Sequence, residues 1–170
     1  GKAKARMPRS LIITPTRELA MQIAENFEIY GKHHKLTHAL LIGGVSMGDQ
    51  EKALNRSVDV LIATPGRLID LFDRGHLLMH DVKILVIDEA LSVGDAYFQA
   101  KCLYKIESLL EQGVTFIYVT HSPDSVRALC NEAIMLRNGQ LHSQGTAQEV
   151  SNLYFRSLLE KQNASSWNTK

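Results

Sequence analysis

The sequence is poor in several features that would place it in a special structural class. Its 170 residues include two cysteines, four prolines and 6% aromatic residues, and the formal net charge is +1. Cys102 and Cys130 lie far apart without metal-ligand spacing, so we expect free thiols in a reducing compartment rather than a disulfide framework. A net charge near zero provides no global attraction to nucleic acid or to a membrane surface.

Long apolar runs are also missing. No apolar segment is long enough to cross a bilayer or to form an export signal behind the basic residues 1–6. We therefore expect a soluble, cytoplasmic chain with no membrane partner. The apolar content of 45% is ordinary, and it is sufficient for the core of one globular domain.

Short apolar runs alternate with helical patterns along the chain. Strands are predicted at residues 11–13, 39–42, 58–62, 84–87, 114–119 and 133–136, and most of them are separated by helices. Asn138–Gly139 predicts a two-residue hairpin turn after the last of these strands. A final helix that starts at Thr146 is expected to bury Val150, Leu153, Tyr154 and Leu158. This alternation predicts an α/β fold, a three-layer sandwich with a mainly parallel sheet, which would bind ligands at the carboxyl ends of its strands. We predict a single domain over residues 1–162 and a frayed polar tail over 163–170.

Four motifs follow predicted strands in the first half of the chain. They read PTRELA at 15–20, GG at 43–44, TPGR at 64–67 and DEA at 88–90. In this order and spacing, residues 1–90 resemble the first RecA-like domain of a DEAD-box RNA helicase, a P-loop nucleoside triphosphatase. The resemblance implies that the first three motifs hold the RNA backbone, and the candidate RNA-binding residues are Pro15, Thr16, Arg17, Gly43, Gly44, Thr64, Pro65, Gly66 and Arg67.

The chemistry of these residues suits a phosphate. Helices that begin at Thr16 and Pro65 would present free backbone N–H groups and the positive end of a helix dipole. Arg17 and Arg67 would add forked donors. RNA binding that rests on such contacts should be weak.

A purely structural role is the alternative for each residue. Thr16 and Thr64 are good helix caps, Arg17 has Glu18 and Glu25 as possible ionic partners, and the glycine pair at 43–44 can simply turn the chain. Taken singly, each residue favours this alternative. Taken together and in order, the residues favour an RNA-binding surface.

The run Ile84–Ile87 leads into Asp88 and Glu89, which is the Walker B arrangement of P-loop proteins. The resemblance implies that Asp88 holds Mg²⁺ through water and that Glu89 orients the attacking water. However, the phosphate-binding loop G-x-x-x-x-G-K-[ST] occurs nowhere in the 170 residues. Mg²⁺ relies on nucleotide phosphates as ligands. We therefore expect Asp88, Glu89 and His121 to be vestigial, with no metal and with ATP and Mg²⁺ only as ancestral cofactors.

The fourth letter of DEAD is replaced by Leu91, and the pattern then changes. Residues 84–160 resemble the C-terminal part of the ATP-binding subunit of an ABC transporter of the polysaccharide-exporter type. Residues 91–95 correspond to its D-loop, His121 to its H-loop histidine and residues 133–141 to its closing hairpin. The ABC signature LSGGQ, the Q-loop and the Walker A loop are all missing.

These two resemblances predict an engineered chimera of two P-loop folds, joined at their shared Walker B strand and lacking the Walker A strand and loop. Its expected function is that of a scaffold without catalytic activity. One alternative is a weak module for RNA, nucleotide or phosphate. The second is an ATPase or helicase component whose Walker A loop is supplied elsewhere.

The missing Walker A strand has a consequence for the sheet. In such folds it lies beside the strand predicted at 114–119, which would lose a neighbour and become an aggregation-prone edge. We predict that strand 133–136 pairs with strand 114–119, or that two chains form a homodimer by strand or segment exchange.

Overall fold

A computed structural model of the protein describes residues 3–89 and 95–166. The chain divides into two compact units, Gly1–Val119 and Thr120–Lys170. The prediction of one domain over residues 1–162 stays a prediction. Residues 90–94, which include most of the D-loop resemblance, and residues 167–170 of the predicted tail lie outside the described part of the chain.

The first unit contains a sheet of five parallel strands, β1 Ser10–Ile13, β2 His38–Leu41, β3 Val60–Ala63, β4 Ile84–Asp88 and β5 Thr115–Val119. Their order in the sheet is β2-β3-β1-β4-β5, which confirms the predicted α/β class. All four residues of β3 are buried, because helices cover both faces of the sheet at this strand.

Four helices cover this sheet: α1 Arg17–Gly31, α2 Met47–Leu54, α3 Pro65–Asp73 and α4 Ala96–Glu111. Helix α1 packs Ala20 and Ala24 against one face, in a cluster with Ile62. The larger cluster lies on the other face, where Leu61 and Leu85 are fully buried beneath α3 and α4. The strands therefore hold their carboxyl ends, and the motifs that follow them, in fixed positions.

The second unit contains α5 Pro123–Leu129, β6 Glu132–Arg137, β7 Gln140–Thr146 and α6 Ala147–Ser166. Strands β6 and β7 form an antiparallel pair. Asn138 and Gly139 connect them with φ values of 50° and 76°, as the predicted two-residue hairpin turn requires. Helix α6 continues through Ser166, and thus into the segment predicted as a frayed tail. No helix in the described residues is both long and apolar enough to span a membrane.

The predicted pairing of strand 133–136 with strand 114–119 is wrong. Within the described residues, β6 pairs with β7 and β5 pairs with β4 alone. The physical reason is the short turn, because closing a two-residue hairpin costs little loop entropy. Association of two chains through β5 stays a prediction.

A capping box begins α6 and leads to a testable prediction. The Thr146 hydroxyl accepts a hydrogen bond from the Glu149 N–H at 3.3 Å, and Glu149 Oε2 accepts from the Thr146 N–H at 3.1 Å. We expect Thr146→Ala to lower the free energy of unfolding of this unit by about 1 kcal/mol in a denaturant titration. Gln148→Ala on the same turn is the control and should leave it nearly unchanged.

The same box makes stability depend on pH. Hydrogen bonds from Thr146 lower the pKa of the Glu149 carboxyl below its ordinary value of 4.5. A lowered folded-state pKa gives stability that is present above the unfolded-state pKa and is lost as pH falls through the folded-state value. In Thr146→Ala, the free energy of unfolding should therefore decrease less steeply as the pH falls. If the free energy of unfolding of this variant depends on acidic pH as it does without the substitution, the capping box does not form.

Candidate functional site

The first three motifs meet at the carboxyl edge of the sheet in the first unit. Each directly follows a strand, and together they line an open groove of about 520 Å³. Most of the predicted RNA-binding residues line it, and the exceptions, Gly44 and Pro65, lie in the motifs that form its walls. The lining residues are Pro15, Thr16, Arg17, Glu18, Gly43, Thr64, Gly66, Arg67 and Asp70.

Thr16 caps the first helix, as its structural alternative predicts. Its backbone is extended, and its hydroxyl accepts a hydrogen bond from the Leu19 N–H at 3.2 Å. The fully buried Thr14 donates to the Thr16 carbonyl at 3.0 Å and fixes the turn that leads into the helix. The Thr16 hydroxyl is therefore used by the helix itself, and the residue positions the start of α1 at the groove.

Arg17 is exposed at the first position of α1. Its side chain makes no hydrogen bond or ion pair with any other described residue, so the alternative of pairing with Glu18 or Glu25 is not found. Gly44 lies directly against its guanidinium, and a Cβ at that position would clash with Nη1. Because Gly44 also has a φ of +77°, only glycine fits there without strain. Gly43 has open space around it and no such requirement.

Arg67 has a structural role that the sequence did not reveal. Its Nη2 donates to the Val45 carbonyl at 3.2 Å, and its Nη1 contacts Met47 Sδ at 3.0 Å. These contacts join α3 to the beginning of α2. Since a guanidinium carries five N–H donors, the side chain retains donors for a ligand in the groove.

The start of α3 is less completely capped than that of α1. Thr64 occupies the N-cap position but makes no side-chain capping bond, and Pro65 at the first position has no N–H. The helix therefore offers uncapped backbone N–H groups of its first turn, beginning at Gly66, on the groove side. This is the environment in which a helix terminus attracts an anion.

Charges of both signs surround the groove. Arg17 and Arg67 are cationic, whereas Glu18 and Asp70 are acidic and were not predicted as site residues. Asp70 is largely neutralised, since its Oδ1 accepts a hydrogen bond from Arg74 Nε at 2.7 Å. Glu18 remains an exposed negative charge beside Arg17, so the attraction for phosphate is moderate.

Asp88 and Glu89 lie at the carboxyl end of β4, as predicted. Burial, with a further contribution from Glu89, raises the pKa of the Asp88 carboxyl. Glu89 adopts a left-handed φ of 51°, which is unusual for glutamate, and its N–H donates to the Val119 carbonyl at 2.9 Å. The strained backbone of Glu89 is therefore held at the carboxyl edge of the sheet.

The geometry of a complete Mg²⁺ and nucleotide site is not assembled from these residues. Asp88 and Glu89 suit a water-mediated magnesium contact, but the described residues contain no group of three or more His, Cys, Asp or Glu able to hold a metal. His121 is exposed and belongs to the second unit. A vestigial role for Asp88, Glu89 and His121 stays a prediction.

Comparison with known proteins identifies the source of these motifs. The family model for the DEAD/DEAH box helicase matches residues 2–128. The DEAD-box ATP-dependent RNA helicase 46 of Arabidopsis thaliana is 31% identical over 90% of this chain and 24% of its own length. The ATP-dependent RNA helicase DBP2 of Gibberella zeae is 37% identical over 74% of this chain and 23% of its own length.

Solved structures agree with these sequence matches. The yeast DEAD-box splicing factor Prp28 superimposes with a TM-score of 0.57 at 30% identity, covering 71% of this chain and 30% of that structure. Dbp5 of S. cerevisiae, solved with RNA and ADP BeF3, gives 0.58 at 25% identity over 73% of this chain and 31% of the other. The chain thus spans about a quarter of the length of the Arabidopsis and Gibberella helicases, 24% and 23% respectively.

The family match continues beyond residue 90, where the predicted change to an ABC-type sequence begins, and it ends at residue 128. The resemblance to DEAD-box helicases is thereby confirmed, whereas the ABC-type segment and the chimeric origin stay predictions. The chain belongs to the DEAD/DEAH box helicase family, and its first unit has the fold of a RecA-like DEAD-box domain.

Proposed function

We propose that the first unit binds the sugar-phosphate backbone of RNA in the groove formed by the three motifs. The observation that carries this proposal is Arg17, an exposed guanidinium without a partner among the described residues, held against Gly44 at the head of α1. Phosphate is a natural ligand for such a forked cation beside two helix N-termini.

The relatives support this choice of ligand. The similar proteins above are named as ATP-dependent RNA helicases, and one solved relative holds RNA. The groove reads no base by itself, because backbone contacts position a nucleic acid without carrying sequence information. We therefore propose binding with little sequence preference.

The expected affinity is modest. The groove has two cations against Glu18 and a neutralised Asp70, and the whole chain carries a net charge of only +1. Non-specific nucleic-acid binding of this kind has dissociation constants of roughly 10⁻⁴ to 10⁻⁶ M at physiological salt. Fluorescence polarisation with a labelled single-stranded RNA, titrated at several salt concentrations, tests the proposal. Absence of binding at low salt, or binding that salt does not weaken, would contradict it.

A second candidate is an ATPase component completed by residues outside these 170. It is favoured by the unfinished sheet beside Asp88. Strand β5 has one strand neighbour in the described residues, and Ile117 and Val119 on one of its faces are 49% and 52% exposed. Parallel sheets are normally covered on both faces. A further strand and helix with a phosphate-binding loop would cover these side chains and face Asp88.

This candidate makes a clear prediction for the chain itself. The 170 residues alone should not turn over ATP, since electrostatic contacts of a phosphate-binding loop contribute several orders of magnitude to rate. A steady-state phosphate-release assay measures this, with Glu89→Gln as the matched control for contaminating activity. Turnover that is present in the natural sequence and disappears in Glu89→Gln would contradict the prediction.

The RNA-binding and phosphate-release assays also distinguish both candidates from an inert chimera. If residues 84–160 derive from an ABC transporter subunit and the protein is only an engineered scaffold, it should show neither salt-sensitive RNA binding nor ATP turnover. RNA binding without turnover supports the first candidate.

A further inference from the structure

A second cavity lies within the first unit, beneath α3 and α4, and it shares no lining residue with the groove. Its volume is about 210 Å³. The floor comes from the sheet and the walls from the two helices, and apolar side chains dominate, among them Leu11, Leu68, Phe72, Leu85, Ile106 and Leu109.

A cavity of this composition is suited to an apolar guest. Water gains little in such a space because it finds few hydrogen-bond partners, and the lining atoms lack contacts on the empty side. An apolar protein cavity of about 150 Å³ is large enough to bind benzene. The cavity here therefore has room for an aromatic ring with a small substituent.

Two lysines contribute to the lining of the cavity. Lys101 and Lys105 both line it from α4, but Lys101 is bound to Asp73. Lys105 has no ion pair with a described residue, and its Nζ lies 3.7 Å from the centre of the Phe72 ring. Burial lowers the pKa of this ammonium. An anion is the group that would complete its surroundings.

We infer that this cavity binds a small apolar acid, with its hydrocarbon part among the leucine and isoleucine side chains and its carboxylate on Lys105. The proposal is independent of RNA binding, because the two sites share no lining residue although α3 borders both. Of the helicase motifs, only TPGR contributes to the cavity, through Pro65.

The two cysteines provide an internal test with benzoate as the probe. Cys102 lines the cavity, whereas Cys130 is in the second unit, and burial raises the pKa of both thiols. We expect saturating benzoate to slow alkylation of Cys102 by iodoacetamide at least threefold and to leave Cys130 unchanged, as measured by mass spectrometry of the peptides. Equal slowing at both cysteines, or no slowing at Cys102, would overturn the proposal.

The role of Lys105 is tested with Lys105→Met, which removes the ammonium and keeps an unbranched side chain of similar length. In this variant, the benzoate concentration that gives half-maximal protection of Cys102 should rise about tenfold. Protection by toluene, the uncharged analogue, should persist and show that the cavity is intact. If benzoate protects this variant as well as it protects the natural sequence, the assignment of the carboxylate to Lys105 is wrong. Loss of protection by both probes in this variant would overturn the apolar cavity as the binding site.

Discussion

Replacing Arg17 and Arg67 together with alanine is expected to remove most of the RNA affinity that we propose for the chain. Both guanidinium groups line the groove, and charge-assisted hydrogen bonds to phosphate are about twice as strong as neutral ones. We expect a loss of at least tenfold at low salt, about 1.4 kcal/mol or more. The salt dependence should fall as well, by about 0.7 in the logarithmic slope for each phosphate contact to single-stranded RNA.

The two arginines should differ when changed singly. Arg17→Ala removes a side chain without an internal partner among the described residues, so it should reduce RNA binding and leave thermal stability unchanged. Arg67→Ala also breaks the contacts to Val45 and Met47, and should lower both affinity and stability. Arg67→Lys retains the charge but loses the fork, and is expected to bind RNA less well than the natural sequence.

A matched control removes the same charge elsewhere on the same unit. Lys35 and Arg56 are exposed and precede β2 and β3, so they lie toward the amino edge of the sheet, opposite the groove. The double variant Lys35→Ala with Arg56→Ala should bind RNA nearly as well as the natural chain. If this control loses as much affinity as the Arg17 and Arg67 pair, the groove is not the binding surface and only net charge matters.

Most of the fold of the first unit was predictable because its central strands β1 and β3 are buried or partly buried on both faces. Such strands appear in sequence as short apolar runs, and β3 with four buried residues is the clearest case. Helix α2 was not predicted. Its sequence MGDQEKAL is mostly polar, and Ser46 at its N-cap makes no capping bond. It is anchored instead by buried Gln50, whose side chain donates to the Ile42 carbonyl at 2.9 Å, and such a contact leaves no periodic signal.

The second unit shows how a local signal can determine strand pairing. The Asn138–Gly139 turn was predicted correctly, but the pairing of β6 was inferred from the incomplete sheet rather than from this turn. The buried face of helix α6 was also predicted only in part. Val150 is buried as expected, whereas Leu153 and Leu158 are 39% and 37% exposed.

The sequence predicted which residues form the candidate site better than it predicted the contacts between their side chains. Motif order placed three loops at one sheet edge, and parallel topology brings such loops together. The contact of Gly44 with Arg17, the bonds of Arg67 to the start of α2 and the pairing of Asp70 with Arg74 depend on side-chain directions that spacing alone does not define. The cavity beneath α3 and α4 likewise arises from imperfect packing of distant segments.

Strand β5 leads to the second large effect, which concerns self-association. An apolar strand with unpaired backbone groups is a template for another chain. Within the described residues β5 has one neighbour, and its sequence TFIYV is rich in residues that favour strands. We expect the chain to form dimers or larger species at high protein concentration through this edge.

Ile117→Lys should suppress this association. The side chain is 49% exposed, so a lysine can keep its ammonium in water, and charged residues on edge strands prevent pairing between chains. Ile29→Lys is the matched control, since Ile29 is 62% exposed but lies on α1. Sedimentation velocity over a wide range of concentrations should show association of the natural chain and the control, and a monomer for Ile117→Lys. A natural chain that remains monomeric throughout would rule out dimerisation through β5, whereas equal association of all three proteins would place the interface elsewhere.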